Sequence, residues 1–233
     1  MRLTKMIGLC LAAMFAVSGL AASGASAAPE FLHEGKEVLK KGFTVKSKSG
    51  ATLIEIAGTK YKIVCSSSTS TGRIKGKSEV EGVVAKFKGC KAKESEELHE
   101  CEVSSTSPLG GKEEIITKTL KGRLGEVAST EAGTERGLLL LPNSGTVYVT
   151  IKSSTECLPQ ETSEVKGSLI GEVKPIKTLK SKGELIYKSV EEKTQMIKKF
   201  VGESAMHELE IFGVKTPLEA IDSLEYEESV EVT

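Results

Sequence analysis

The chain of 233 residues contains no tryptophan, only four tyrosines and six phenylalanines. Large aromatic side chains anchor most tight protein interfaces, so this sequence has few of the usual anchors. Aspartate is also nearly absent, since Asp222 is the only one. The composition argues against an EF-hand calcium loop, whose ligands are largely aspartates, and against a catalytic triad that uses aspartate.

Sequence motifs of common enzymes are absent as well. The chain has no H-E-x-x-H, G-x-S-x-G or G-x-x-x-x-G-K-[ST] pattern. Each of the three histidines, His33, His99 and His207, is followed by a glutamate. Adjacent residues of a strand point to opposite faces, so these pairs do not form a catalytic or metal-binding unit by themselves. We therefore predict no catalytic residue, no metal site and no cofactor.

The first 27 residues have the pattern of a secretory signal peptide. Arg2 and Lys5 precede the apolar run Met6–Leu20, and Ala25-Ser26-Ala27 fits an A-x-A cleavage site. The run is shorter than the roughly 20 residues of a membrane-spanning helix. We expect cleavage after residue 27, a secreted or cell-envelope location, and no membrane span in the mature chain.

The charges of the remaining chain are balanced. Loss of Arg2 and Lys5 with the signal leaves 30 basic against 32 acidic residues. Binding of nucleic acid requires a basic patch, so this balance argues against a nucleic-acid partner. We expect an envelope or extracellular partner, whose identity the sequence does not reveal.

Four cysteines follow the signal, namely Cys65, Cys90, Cys101 and Cys157. An even number in an exported chain favours two disulfides, for which three connectivities are open. No C-x-x-C pair is present, and the spacings do not fit a zinc site. Because the charged segment 91–100 is typical of a hairpin tip, we predict that Cys90 pairs with Cys101. Cys65 is then expected to pair with Cys157.

Strand signals dominate the mature chain, in which valine, isoleucine and threonine recur with period two between glycine-rich turns. They predict an all-β fold, either an antiparallel β-sandwich or a partly closed β-barrel. Residues 28–175 are expected to form the main β domain. Residues 176–233 are expected to form a smaller C-terminal β-subdomain or to continue the same sheet. The clearest strands are Leu53–Ile56, Tyr61–Cys65, Glu79–Phe87, Cys101–Ser105, Leu120–Val127, Gly137–Leu141, Thr146–Ile151, Glu164–Val173 and Gly183–Tyr187.

Three features of the sequence have two interpretations. The serine- and threonine-rich segment Ser66–Thr71 is predicted to be a flexible loop, with an exposed strand edge as the alternative. Residues 189–204 fit a helix or a β-hairpin around Gly202-Glu203, and the hairpin is favoured. Glycines flank apolar residues in the strands that contain Gly72, Gly122 and Gly171. They are predicted to mark bulges or bends rather than contacts with a ligand.

The chain resembles uncharacterised bacterial exported proteins that are rich in β structure. The resemblance is carried by the signal, the strand end Phe87-Lys88-Gly89-Cys90, the second cysteine Cys101 and the C-terminal strand Leu224–Val232. It covers most of the mature chain and implies neither an activity nor site residues.

The expected function is that of an exported, non-catalytic binding or structural module of unknown ligand. One alternative is an extracellular hydrolase that acts on cell-wall or other polymer through glutamates. Another is a carrier that holds an apolar ligand inside a barrel. For the module, we expect contact through a sheet face or through a strand edge, at Ser66–Thr71 or Glu228–Thr233.

Overall fold

The computed structural model describes residues 28–38, 42–94, 100–128, 135–153, 157–158 and 161–233. The predicted signal peptide and His99 lie outside these ranges. The strands are β1 (Phe31–His33), β2 (Lys36–Glu37), β3 (Phe43–Ser49), β4 (Thr52–Glu55), β5 (Tyr61–Cys65), β6 (Ser67–Lys75), β7 (Glu79–Lys88), β8 (Lys91–Glu94), β9 (Glu100–Glu102), β10 (Ser104–Ser105), β11 (Glu114–Ile116), β12 (Leu120–Val127), β13 (Glu135–Pro142), β14 (Val147–Lys152), β15 (Thr162–Gly167), β16 (Leu169–Lys174), β17 (Lys180–Tyr187), β18 (Ser189–Val190), β19 (Thr194–Gln195), β20 (Leu209–Ile211), β21 (Val214–Lys215) and β22 (Leu218–Val232).

Eight strands form a closed antiparallel barrel in the order β17-β16-β13-β12-β7-β6-β3-β22. The barrel closes between β17 and β22, where Tyr187 is opposite Ala220 and Lys180 is opposite Val230. Closure leaves no free edge between these strands. Strands before and after residue 175 pair within this one sheet. The predicted all-β class is confirmed, and of the two predicted architectures the molecule has the barrel.

The remaining strands lie outside the barrel. The first residues of β22 leave the barrel wall and pair with β4, which begins a ladder that continues through β5 and β8 to β9. A second sheet has the order β10-β14-β15-β20-β21. Its strand β15 leads through Ser168 directly into the barrel strand β16. Ser168 therefore lies where the chain passes from one sheet to the other.

Side chains at alternate positions fill the barrel interior. At one end the filling is apolar and leaves a cavity of about 40 Å³. Small-molecule pockets measure roughly 300–1,000 Å³, so this space suits a few water molecules at most. The cavity is lined by Phe31, Val45, Ser70, Gly72, Ile74, Val80, Val83, Leu138, Leu140, Val173, Leu185, Leu224 and Tyr226.

Two disulfides join Cys65 to Cys90 and Cys101 to Cys157, so the predicted pairing of Cys90 with Cys101 and of Cys65 with Cys157 is wrong. Strand β8 pairs with β5, which places Cys90 opposite Cys65 with their Cα atoms 4.0 Å apart. Within the β8–β9 hairpin, Cys101 is instead opposite Ala92. The sulfur bonded to Cys90 thus belongs to Cys65 in β5, and not to Cys101 in β9.

The segment Ser66–Thr71 is not a loop. From Ser67 onward it forms β6, which pairs with β3 on one side and with β7 on the other. The second expected edge, Glu228–Thr233, is also covered, because β22 pairs with β17 through Val230 and with β1 at Val232. Neither segment therefore offers a free edge for strand addition.

Two further expectations are corrected by the pairing. The sequence predicts that the strand Cys101–Ser105 pairs with Glu79–Phe87, whereas the segment that contains Cys101 pairs with β8. Within residues 189–204 there is no helix, and the short hairpin is formed by β18 and β19 rather than around Gly202. In the part of the chain that the structure describes, no helix has the length and apolar character needed to cross a membrane.

Candidate functional site

The only aspartate lies at the polar end of the barrel interior. The Asp222 carboxylate accepts hydrogen bonds from Ser47 (3.5 Å) and Ser68 (3.4 Å). Two further hydroxyls, of Ser70 and Ser49, lie 2.8 Å from those of Ser47 and Ser68 respectively. Burial raises the pKa of Asp222 above its usual range, while the serine hydroxyls oppose this shift. The serine hydroxyls thus satisfy the Asp222 carboxylate inside the barrel.

A segment that we call the strap, residues 196–207, crosses the outside of the barrel. Gln195, just before it, is 2% exposed and holds its start. Its Nε2 donates to the carbonyls of Lys188 (2.8 Å) and Leu218 (3.2 Å), and its Oε1 accepts from the Leu218 N–H (3.0 Å). These three hydrogen bonds satisfy the buried amide of Gln195 and hold the start of the strap in place.

Phe200 is the apolar anchor of the strap. Its ring is 2% exposed and packs with Val127, Leu139 and Ile170 on the outer face of the barrel. Gly125 makes room for the ring, because a Cβ there would overlap it. The backbone adds to the attachment, since the Val201 N–H donates to the Glu126 carbonyl at 2.8 Å.

The end of the strap is held by a chain of polar side chains. Arg123 lies over the Phe200 ring, 4.7 Å from its centroid, and donates to Glu203 at 2.5 Å. This bond lowers the pKa of the Glu203 carboxyl. The other Glu203 oxygen is 3.6 Å from His207 Nε2, and His207 Nδ1 is 2.9 Å from Ser168 Oγ. Ser168, His207 and Glu203 thus stand in the order nucleophile, base and orienting carboxylate.

Between its anchors the strap borders a groove of about 400 Å³, here called the lysine groove. Lys188, Lys198 and Lys199 extend into its lining, and their side chains make no ion pair with any residue that the structure describes. A fourth lysine, Lys174, pairs with Glu172 at 2.7 Å. The full lining is Ala128, Glu135, Glu172, Lys174, Lys188, Met196, Ile197, Lys198, Lys199 and Met206.

A second groove, of about 610 Å³ and here called the apolar groove, lies between β4 and the start of β22. Its lining is Gly50, Ala51, Thr52, Leu53, Val64, Tyr187, Lys188, Ser189, Met196, Glu219, Ala220 and Ile221. Lys188 and Met196 line both grooves. The two grooves therefore adjoin at these residues and belong to the same region of the protein surface.

Exposed apolar side chains concentrate on this surface. Among the described residues, seven large apolar side chains are exposed, and five of them lie between residues 190 and 221. Met196, Met206 and Ile221, which are 49%, 55% and 57% exposed, line the grooves. Single exposed apolar residues need no explanation, whereas a cluster beside concave surface is typical of an interaction site.

A cluster of glutamates lies near the apolar groove. Burial, and after it the carboxylates of Glu192 and Glu219, raises the pKa of Glu55 to about 7. Only Glu219 lines the groove, and Ser189 donates to its Oε1. No set of three or more acidic, histidine or cysteine side chains with metal-binding geometry occurs among the described residues. Two more glutamates, Glu135 and Glu172, line the lysine groove, and Glu172 is paired there with Lys174.

The residues singled out in the sequence have other roles. His33 Nδ1 lies 2.8 Å from the Ser229 carbonyl, and His207 belongs to the strap. The glycines Gly72, Gly122 and Gly171 face side chains or backbone of the protein itself, and strand pairing shifts register beside the first two. The sequence patterns do not predict the grooves, although Met196 and Ile197 stand directly before two lysines.

Comparisons of the chain with protein-family models, with curated proteins and with solved structures give no match. The strap and its two grooves are therefore interpreted from their own chemistry.

Proposed function

We propose that the protein is exported and acts as a binding module whose ligand lies in the lysine and apolar grooves beside the strap. The observation that carries this proposal is the meeting of the two grooves at Lys188 and Met196, with exposed apolar side chains on both sides. Their volumes of about 400 and 610 Å³ lie in the range of small-molecule sites. The cavity inside the barrel measures only about 40 Å³. This small volume favours a binding site outside the barrel over a carrier cavity inside it.

The anchoring of the strap supports the same proposal. Gln195 and Phe200 are buried, while the intervening Met196 is half exposed. A segment fixed on both sides of its exposed residues holds the groove wall in place before a ligand arrives. Such pre-organisation reduces the free energy lost on ordering a binding site.

Ligand mapping by ¹H–¹⁵N NMR tests the binding proposal. A panel of small neutral and charged fragments is added to the exported protein, and shifts are assigned to residues. We expect hits to move resonances of residues 188–206 and of β4. Hits that perturb only other surfaces, or no hits at millimolar fragment, would overturn the proposal.

Export is part of the proposal and has its own test. Two disulfides and the absence of a membrane-spanning helix among the described residues are compatible with a protein outside the cytoplasm. N-terminal sequencing of protein from the exported fraction should begin at Ala28. Recovery of the whole chain only from the cytoplasm would contradict export.

A second candidate function, hydrolysis of an ester, is favoured by the chain from Ser168 to Arg123. With its proton on Nε2, His207 accepts the Ser168 O–H at Nδ1, and Glu203 faces the opposite nitrogen. The order of the groups is that of an activated serine, in which Arg123 positions the carboxylate, while the 3.6 Å between His207 Nε2 and Glu203 exceeds a hydrogen bond. The same contacts also hold the strap, so structure and reactivity must be separated by experiment.

A fluorophosphonate probe separates the two roles. An activated Ser168 would attack phosphorus, pass its proton to His207 and release fluoride, leaving a covalent adduct detected by mass spectrometry. Ser168→Ala should abolish the adduct, and Ser223→Ala is the control because Ser223 is an exposed strand serine. An unlabelled wild-type protein would exclude the hydrolase and leave the binding proposal intact.

A further inference from the structure

We infer that the ligand is a single-chain anionic amphiphile, with its charged head in the lysine groove and its alkyl chain in the apolar groove. This inference rests on the proposed binding function and specifies its ligand class. It is carried by the unequal chemistry of two grooves that share the side chains of Lys188 and Met196.

The charge of the lysine groove selects an anion. Four lysines and two glutamates line it, which leaves a net charge of +2. One lysine, Lys174, is neutralised by Glu172, while the ammonium groups of Lys188, Lys198 and Lys199 form no ion pair among the described residues. Ammonium groups act as flexible point charges for phosphate or carboxylate. An anionic head can therefore replace water at three cations without breaking an existing ion pair.

The apolar groove selects an alkyl chain. Leu53, Val64 and Ile221 supply aliphatic lining, and Ile221 is 57% exposed. Contact with an alkyl chain would remove these side chains from water, which is favourable by about 25 cal/mol per Å² of apolar surface. The carboxylate that lines this groove, Glu219, already accepts hydrogen bonds from the Ser189 hydroxyl and N–H. It does not need a ligand cation to be satisfied.

The junction of the grooves explains why both parts belong to one molecule. Met196 contributes to both linings, and its unbranched thioether side chain adapts to ligands of varied shape. A chain that leaves the lysines passes this residue to reach Ile221. A free phosphate would fill only the first groove, and a neutral alcohol only the second.

Isothermal titration calorimetry with dodecyl phosphate, kept below its micelle concentration, tests the inference. Dodecanol and inorganic phosphate are the comparison ligands. We expect dodecyl phosphate to bind at least tenfold more tightly than either, and its affinity to fall with added salt. Equal affinity for dodecanol would overturn the role of the lysines, and equal affinity for phosphate would overturn the role of the alkyl chain.

Two sets of variants locate the contacts. Lys198→Gln with Lys199→Gln should weaken dodecyl phosphate by about tenfold and leave dodecanol unchanged. Lys118→Gln with Lys121→Gln is the matched control, because both lysines are exposed and neither lines a groove. Met196→Ser should weaken both alkyl ligands. An unchanged affinity in the Lys198 and Lys199 variant, with an unchanged melting temperature, would contradict the site.

The outcomes distinguish this inference from the proposed function. If fragments bind at the strap but dodecyl phosphate does not, the ligand class is wrong and the binding module stands. If neither perturbs residues 188–206, both fail. Binding to vesicles of anionic phospholipid without binding of monomeric dodecyl phosphate would replace the single amphiphile by a membrane surface and overturn the inference.

Discussion

The aromatic ring of Phe200 packs on the backbone of Gly125, at a place where any side chain on residue 125 would overlap the ring. Phe200 is thereby buried on the outside of the barrel, in a small cluster separate from the main core. This contact anchors the strap, which contributes Met196 to the lining of both grooves.

Removal of the Phe200 ring should release the strap. Phe200→Ala is expected to lower the free energy of unfolding by about 3 kcal/mol, the lower end for a buried phenylalanine, because a surface cluster can relax. Val201→Ala is the control, since Val201 is 56% exposed and should change stability by less than about 0.5 kcal/mol. Urea unfolding measures both. Equal stabilities of the two variants would show that the strap is not anchored at Phe200.

Gln195 provides the polar anchor, and its loss should also destabilise the fold. Gln195→Leu removes three hydrogen bonds and leaves the buried N–H and carbonyl of Leu218 without this partner. Buried groups left unsatisfied cost about 1–3 kcal/mol, so the melting temperature should fall. Gln195→Glu, which keeps the shape and the acceptor, tests whether the amide donor matters. A melting temperature unchanged in the leucine variant would argue against this anchor.

The disulfide connectivity can be read by peptide mapping without reduction. We expect one peptide pair that contains Cys65 and Cys90 and another that contains Cys101 and Cys157. Replacing either pair by serine should cost about 3–4 kcal/mol in the chain-entropy model, given loops of 25 and 56 residues. A peptide linking Cys90 to Cys101 would contradict the strand pairing of β5 with β8.

Glu55 should make stability depend on pH. Its pKa is raised from the usual 4.5 to about 7, so between these values the folded chain holds a proton that the unfolded chain releases. Stability is therefore greatest below pH 4.5 with respect to this group and falls as pH rises through 7. Glu55→Gln should raise the melting temperature at pH 8 more than at pH 4.5. Glu228→Gln, an exposed control, should give equal shifts at both pH values.

Prediction from sequence succeeds where alternation of apolar and polar residues follows burial. Tyr61–Cys65 and Leu120–Val127 are strands with the predicted bounds, because their alternating residues face a core. The first half of strand β6 reads as a loop because its inward residues include Ser68 and Ser70, which face Asp222 and lack the apolar signal. Only the closed barrel shows that these serines face a core.

The candidate site could not be predicted, because it joins residues that are distant in the chain. Lys174 and Glu172 lie on a barrel strand, whereas Lys198 and Lys199 lie on the strap. The apolar groove adds Leu53 from a third region. Local patterns report which residues share a strand face, but they do not report which surfaces a crossing segment brings together.

Methionine methyl NMR gives the most direct test of the binding surface. Only Met196 and Met206 occur after residue 27, and both line the lysine groove. In ¹³C-methyl-methionine protein saturated with dodecyl phosphate, we predict intermolecular nuclear Overhauser effects from the Met196 methyl to the alkyl chain, with a shift of the Met206 signal. Bound dodecyl phosphate that leaves both methyl signals unmoved and gives no such effect would contradict a ligand site beside the strap.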